Sequence, residues 1–514
     1  MAECAEERST AFTGRLDARD AWLALAVALA AGLLYALTQQ TRYYGDGPGL
    51  VSLHVLGGGE RYYNVLYLPA CDLVQRLLFL EPLAAPRVLS SLAAAVGLGL
   101  GYLNLRRTGA ERPGALRATA LLACASSLWF YATTPEVHTL HFALVQLVAF
   151  VTLSAPWGRP ALALALVACV FPLLYGSHVA SVTLGPGWVL LVQLARTRAH
   201  APFRWRTLLF VIGPVLLVAL VLAMVGACWL RFGNLASFFE TQLGQVELHD
   251  VAGEAGVRTQ QTVWRDEWLV PLGVLVPLAL AGFFGLRRRA WLLPATAALV
   301  FVPFGFFLWW DVYERGGYFL GSAPFLMIPV AHLLGRLRGP WRIAFVPLLG
   351  LQVAFAGQAI LEYDRGWDPA ERVAMVREAL GESGLLVASV PYAPDIRCTL
   401  PRVEEVRLAD LIRRAYRLKD DILPPSETAA RVWPMLRRIL AHADRAAIEI
   451  GYTVAAGDQN AIASMVPAMR ELEALVRTNY SVRELPHPYW PMLVIELPPR
   501  DASSPMEAGD EAAR

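Results

Sequence analysis

Lysine is all but missing from this chain of 514 residues: Lys419 is the one instance, and arginine supplies the rest of the strong bases. That is a compositional bias and carries no chemistry by itself. Charge of either sign is scarce as well, 17% of residues against about 25% in soluble domains. Hydrophobic residues make up 56% and the mean hydropathy is +0.43, which excludes a disordered chain and an ordinary cytosolic enzyme. The six cysteines make no disulfide framework. Cys4 precedes the first apolar run, Cys124, Cys169 and Cys228 lie within apolar runs, and the spacing of Cys71 and Cys398 gives a bridge no support. No C-x-x-C, H-E-x-x-H or Walker-type glycine loop is present, so no nucleotide cofactor is expected and zinc loses its usual sequence support. With 45 basic and 43 acidic residues the net charge is +2, too little for a field that recruits nucleic acid.

What is there is apolar length. Eleven stretches, 21–38, 86–104, 117–132, 137–154, 161–176, 179–194, 207–229, 268–285, 291–309, 318–335 and 343–360, read as membrane helices. At about 1.5 Å per residue, about 20 residues span a hydrocarbon core of about 30 Å. No small-residue cleavage site follows the first stretch, where Gln39, Gln40, Thr41 and Arg42 come next, so it reads as an uncleaved helix. Arginines alternate in density between the connecting loops. Arg106, Arg107, Arg112, Arg117, Arg196, Arg198, Arg287, Arg288, Arg289, Arg336 and Arg338 crowd one side, which the positive-inside rule assigns to the cytoplasm. The expectation is a polytopic α-helical membrane protein of the bacterial inner membrane. Residues 1–20 would be cytoplasmic, 21–360 the membrane domain, 361–500 an α/β domain outside, and 501–514 a disordered tail. Within 361–500, Gly384 to Val390 reads as a buried strand. Arg402–Lys419 and Glu427–Leu440 carry helical spacing, and Tyr480–Leu497 reads as two strands around a turn.

The first outward loop, 39–85, is long and too apolar for disorder. It opens Tyr43-Tyr44-Gly45-Asp46-Gly47-Pro48-Gly49 and ends in an amphipathic stretch, Tyr62 to Leu80, expected to lie in the membrane interface. Asp46 can serve as a general base or bind a cation; Asp-Gly before Pro-Gly is equally ordinary turn chemistry. Thr134-Pro135-Glu136 reads either as a helix start, with Thr134 the N-cap and Glu136 in the first turn, or as a catalytic or metal-binding Glu136. His138 and His141 share a helical face, and His178 lies near the same surface. Such groups line cavities or sit satisfied inside a bundle. Arg315 and Arg265 compete for a lipid phosphate through the planar guanidinium fork, with plain pairing, Arg315 to Asp311 for instance, as the alternative.

The run from Gly45-Asp46 through Leu80 resembles the first outward loop of bacterial proteins related to protein O-mannosyltransferases, in the GT-C superfamily of polyprenyl-phosphate-sugar glycosyltransferases. The segments Ala85-Pro86-Arg87-Val88-Leu89-Ser90-Ser91, Leu128-Trp129-Phe130, Pro135-Glu136-Val137-His138 and Tyr175-Gly176-Ser177-His178 follow in that family's order. The resemblance implies a many-helix enzyme with its site on the outer face, taking sugar from a lipid phosphate and passing it to a glycan, lipid or protein acceptor. Asp46 would be base or electrostatic partner, and Glu136 a second acid that helps hold a divalent metal, with Asp46 as its other ligand. Two departures stand out. Gly47-Pro48-Gly49-Leu50 replaces a second acid, for which Glu60 is a substitute at a different position. Gly59-Glu60-Arg61-Tyr62 stands where relatives carry a His-Pro-Pro-Gly-like run. A transporter or flippase of lipid-linked substrate, and a catalytically silent scaffold, remain alternatives at this point.

Overall fold

The computed structural model describes residues 16–40, 47–56, 64–198, 211–227, 263–286, 292–307, 314–364, 369–389, 394–416, 423–451, 465–488 and 490–497. Asp46, Glu60, Asp311, Arg287 to Arg289 and the tail 501–514 lie outside them. The chain divides into two compact units, Met1–Arg365 and Gly366–Arg514.

The first unit is helical. It runs α1 (Ala18–Leu37), α2 (Gly47–Leu56), α3 (Tyr67–Leu78), α4 (Ala85–Arg107), α5 (Arg112–Ala123), α6 (Ser126–Thr133), α7 (His138–Ser154), α8 (Pro160–Val170) and α9 (Pro172–Ser177). It continues with α10 (Gly185–Arg198), α11 (Gly213–Ala227), a π-helical turn (Val263–Leu269), α12 (Leu275–Leu286), α13 (Leu292–Phe307), α14 (Ala323–Gly335) and α15 (Phe345–Asp364). Each of the eleven apolar stretches holds helix. Among the described residues three helices are long and apolar enough to cross a membrane, or up to five if each bent pair counts as one span.

Small residues set the packing. Gly97 and Gly101 of α4 let Phe142 and Gln146 of α7 lie against its backbone, and Gly99 does the same for Ala24 of α1. Close backbone approach of this kind gives van der Waals contact that lipid tails do not replace. Polar side chains add directed contacts. Asn104 Nδ2 donates to the Gln146 carbonyl and to its Oε1 (2.9 and 2.7 Å). At one end of the array, fully buried Asp20 accepts from Tyr102 Oη, Arg106 Nε and Arg112 Nε at 2.9–3.0 Å. Two of the arginines counted for sidedness are thus also the partners of a buried carboxylate. Conversely, α1 leaves Trp22, Leu25, Leu29, Leu33 and Leu37 exposed in a stripe, the face a lipid environment covers.

Two apolar segments are bent instead of straight, α5 to α6 by 60° and the pair Trp264–Leu272 with Leu275–Leu286 by 85°. A break inside an apolar phase frees backbone groups that need new partners. Tyr35 Oη takes the Ala123 carbonyl at the first break (2.9 Å). At the second, Gly273 adopts a left-handed φ of 56°, and buried Gln352 closes the gap. Its Oε1 accepts from Val274 N (3.0 Å) and its Nε2 donates to the Leu272 carbonyl (3.1 Å). Gln352→Leu leaves both groups unpaired, each at a cost of about 1–3 kcal/mol. Thermal unfolding in detergent is expected to shift down accordingly, and an unchanged melting temperature contradicts this account of the bend.

The second unit is an α/β sandwich around a five-stranded sheet. Its elements are α16 (Pro369–Leu380), β1 (Ser383–Ala388), α17 (Pro394–Thr399), β2 (Arg402–Arg407), α18 (Leu408–Tyr416), α19 (Pro425–Ala441), β3 (Ala446–Glu449), α20 (Val466–Asn479), β4 (Ser481–Leu485) and β5 (Met492–Glu496). Strand order is β2-β1-β3-β5-β4, with β2, β1 and β3 parallel and β5 antiparallel to β3 and β4. The helical reading of Arg402–Lys419 is corrected here, because Arg402–Arg407 is an edge strand and helix begins only at Leu408. Charged side chains on an edge are a common device against edge-to-edge pairing, and they hid the strand's period. Arg372 of α16 is buried against Glu449 through two hydrogen bonds (2.5 and 2.9 Å), and Ser389 N donates to the same carboxylate (3.0 Å). Burial pushes the neighbouring Glu405 carboxyl up, with Arg372 opposing. Cys71 and Cys398 are both free thiols. Burial drives the first to about 12 and raises the second, which leaves both in the less reactive protonated form.

Candidate active site

Three histidines from one helix and the end of another meet in the first unit. His138 and His141 stand one turn apart at the start of α7, and His178 follows α9. All three are buried. The His178 ring centroid lies 5.3 Å from that of His138 and 5.4 Å from that of His141. Tyr131 of α6 closes one side at 4.6 Å from His138. Tyr318 closes another, 5.6 Å from His138 and 5.5 Å from His178. Gly317 and Gly321 are required at the contact, since a Cβ there would come within 2.7 Å of His138 Nε2 and 2.5 Å of His141 Nε2.

Hydrogen bonds fix how two of these rings present themselves. His178 Nδ1 accepts from Ala180 N (3.1 Å), so a neutral His178 carries its proton on Nε2 as a donor. Ser177 Oγ donates to the Leu174 carbonyl (2.7 Å) and therefore accepts from His141 Nδ1 (2.9 Å). That leaves His141 Nε2 as an acceptor. The sequence reading singled out both residues without predicting this division of roles.

The segment Glu314 to Gly317 forms the wall opposite. Tyr131 Oη donates to the Glu314 carbonyl and to its Oε2, and that carboxylate lies 3.8 Å from His138 Nε2. Arg315 holds its guanidinium over the Phe130 ring, 4.9 Å from the centroid, a cation–π contact. Its backbone is left-handed, with φ of 44°, a conformation that costs a side-chain-bearing residue about 1–2 kcal/mol. Glu267 accepts from Glu314 N and Gly316 N (2.8 and 2.7 Å). Sequence reasoning passed over Glu267, although the pair Asp266-Glu267 at the head of an apolar stretch is a usable signal.

Not every expected residue joins this cluster. Arg265 is 69% exposed and forks onto its neighbour Asp266 (2.6 and 2.9 Å), so its fork already has a carboxylate. Glu136 is buried but faces the other way, toward α3 and α4, beside Tyr67 and hydrogen-bonded through its backbone to Ser90. The helix-start reading of this segment is corrected: α7 begins at His138 with Val137 as its N-cap residue. Thr134 instead ends α6, its hydroxyl donating back to the Phe130 carbonyl (3.2 Å). Glu136 Oε2 accepts from Val137 N (3.2 Å), a satisfied backbone donor in place of the cap Thr134 was expected to give.

Asp46 lies outside the described residues, as does Glu60, but the approach to Asp46 is described. Gln40 N donates to the Thr133 carbonyl (3.1 Å) and Gln40 Nε2 to Thr133 Oγ1 (2.8 Å). Trp129 Nε1 donates to Thr38 Oγ1 (2.8 Å). The end of α1 is thereby fixed three residues before Glu136. Among the described residues no group of three or more His, Cys, Asp or Glu side chains is placed to hold a metal ion, so no chemical step is assigned to one. An apolar cavity of about 160 Å³ lies on the helices either side of His178 in the chain, lined by Phe171, Leu174, Tyr175, Val182, Val189 and Leu216.

Along nearly its whole length the chain is similar to the crystal structure of ArnT from Cupriavidus metallidurans bound to undecaprenyl phosphate. The TM-score is 0.54 at 14% identity, covering 92% of this chain and 97% of that one. The apo state of the same protein gives 0.55 at 14%, covering 93% and 98%. The chain carries the GT-C glycosyltransferase fold. The archaeal oligosaccharyltransferase from Archaeoglobus fulgidus in its apo form gives 0.51 at 12% identity, covering 90% of this chain and 73% of that one. No family model and no curated protein sequence matches the chain. At these identities the likeness speaks for the GT-C fold and not for one family within it.

Proposed function

We propose that the protein is a membrane glycosyltransferase that moves a sugar from a polyprenyl-phosphate carrier to a glycan, lipid or protein acceptor outside the bacterial inner membrane. The observation behind this reading is the buried cluster of His138 and His178 with Tyr131 and Tyr318, whose neighbouring turn carries Arg315 over Phe130, together with an apolar cavity on the helices flanking His178. A lipid-linked sugar has those two halves: an anionic phosphate that wants a fork of N–H donors and an isoprenoid chain that wants apolar surface. The GT-C neighbour with undecaprenyl phosphate bound supports it.

In this reading the acceptor hydroxyl gives its proton to the Asp46 carboxylate as its oxygen attacks the anomeric carbon. The bond from that carbon to the phosphate oxygen breaks, and polyprenyl phosphate leaves with its charge held by Arg315. His178 Nε2–H is a donor and His138 a polar wall for the sugar, with Glu136 and Glu60 bordering the acceptor side. Residues 1–20 are then cytoplasmic, 39–85 is the first outward loop, and the unit after 361 lies outside. The narrower kinship with bacterial relatives of protein O-mannosyltransferases rests on the motifs within 45–200.

The test is turnover. Purified protein in liposomes that carry polyprenyl-phosphate-linked sugars is expected to release polyprenyl phosphate and glycosylate an acceptor in step. Donor that crosses the bilayer unconsumed would make the protein a transporter and contradict the proposal.

A further inference from the structure

Glu267 is a buried acid, 3% exposed, on the π-helical turn Val263–Leu269. Among the described residues it makes no salt bridge. Its partners are main-chain N–H groups: Glu314 N to Oε1, Gly316 N to Oε2, and the N–H of Arg315, which also faces this carboxylate. Three successive N–H groups turned toward one anion form a nest, and such a nest needs backbone angles that an extended or helical segment does not supply. The angles match: Arg315 has φ of 44° and Gly316 of 80°. Gly316 leaves no space for a side chain, because a Cβ would sit 2.8 Å from Pro271 Cβ and 2.9 Å from the Glu267 carbonyl. The carboxylate and the crowded glycine thus fix one turn, and that turn carries Arg315.

We propose that Glu267 is a positioning residue: by filling the nest at 314–316 it holds Arg315 in the left-handed conformation that presents its guanidinium to the donor phosphate. The inference rests on the reading of Arg315 as the phosphate ligand. Glu267 itself touches no substrate and acts through Arg315. Gly316 has the same duty by a different route, since any side chain there pushes the turn off Pro271.

The experiment is a double-mutant cycle on binding of undecaprenyl phosphate to the purified full-length protein. Glu267→Ala is expected to weaken binding by about 10²-fold, the size of effect that follows a misplacement of about 1 Å. Glu267→Gln keeps one acceptor oxygen and is expected to fall between Glu267→Ala and the original protein. Gly316→Ala, which leaves the carboxylate in place, is expected to weaken binding in the same direction. In an Arg315→Ala background, Glu267→Ala is expected to change binding by no more than about 2-fold, because residues that act through one contact are not additive. Losses that multiply in the double variant overturn the positioning role while leaving Arg315 as the ligand. If Arg315→Ala alone leaves binding unchanged, the phosphate reading fails and the positioning role with it. Should Glu267→Ala fail to fold, Glu267→Gln and Gly316→Ala carry the same cycle.

Discussion

Arg315→Ala is expected to lower transfer from a polyprenyl-phosphate donor by about 10²–10³-fold, the loss that follows removal of one preorganised group facing developing charge. In the proposed reaction the leaving group is an anionic phosphate, and the turn at 314–316 carries a guanidinium that stays charged at any working pH. Its place over Phe130 keeps the planar group oriented before donor arrives. Lysine cannot reproduce that geometry, because its charge is a point on a flexible stem and lacks the fork. Arg315→Lys is therefore expected to recover only part of the loss. Arg265→Ala serves as the contrast. With its guanidinium exposed and forked onto Asp266, its removal is expected to leave transfer within a few-fold of the original rate, as surface ion pairs contribute little. Initial rates measured at saturating acceptor separate the three variants. Equal losses for Arg265→Ala and Arg315→Ala would remove the reason for preferring Arg315.

Asp46→Asn is expected to reduce transfer by about 10²–10⁴-fold, the range for loss of a general base. The substitution keeps size and hydrogen-bonding capacity and deletes only the negative charge and the proton acceptor. Undecaprenyl phosphate binding is expected to persist in this variant, since the proposed phosphate ligand is Arg315. A variant that binds donor and does not transfer sugar is the signature of a missing base. Full activity in Asp46→Asn assigns the base elsewhere, and Glu136 is then the next acid to replace.

Legibility in the sequence follows the kind of physics at each place. Apolar runs declared the helices, because burial in lipid or bundle needs the same side chains whatever the partner. The bends were hidden. At Gly273 the break depends on Gln352, 79 residues further along the chain, and no local pattern announces a distant partner. Arg402–Arg407 misled because charged side chains on an edge strand mimic a solvated helix face. Thr134-Pro135-Glu136 misled for another reason: a local cap signature lost to a longer α6, whose last carbonyls the threonine now satisfies. His138, His178 and Arg315 were visible as polar groups among apolar ones. The division of donor and acceptor between His178 and His141 was not, since it is set by Ala180 N and Ser177 Oγ. The role of Glu267 was not legible either, because the turn it binds begins at Glu314, 47 residues further along.

The central claim is that one buried cluster takes the donor's phosphate while the apolar cavity on the helices flanking His178 takes its chain. A structure of the full-length protein with undecaprenyl phosphate bound tests it most directly. The account predicts phosphate oxygens at about 2.7–2.9 Å from the Arg315 guanidinium, the isoprenoid chain running past Phe171, Leu174 and Leu216, and His178 Nε2 facing the headgroup. A phosphate held at Arg265, or one away from both the histidines and Arg315, would contradict it.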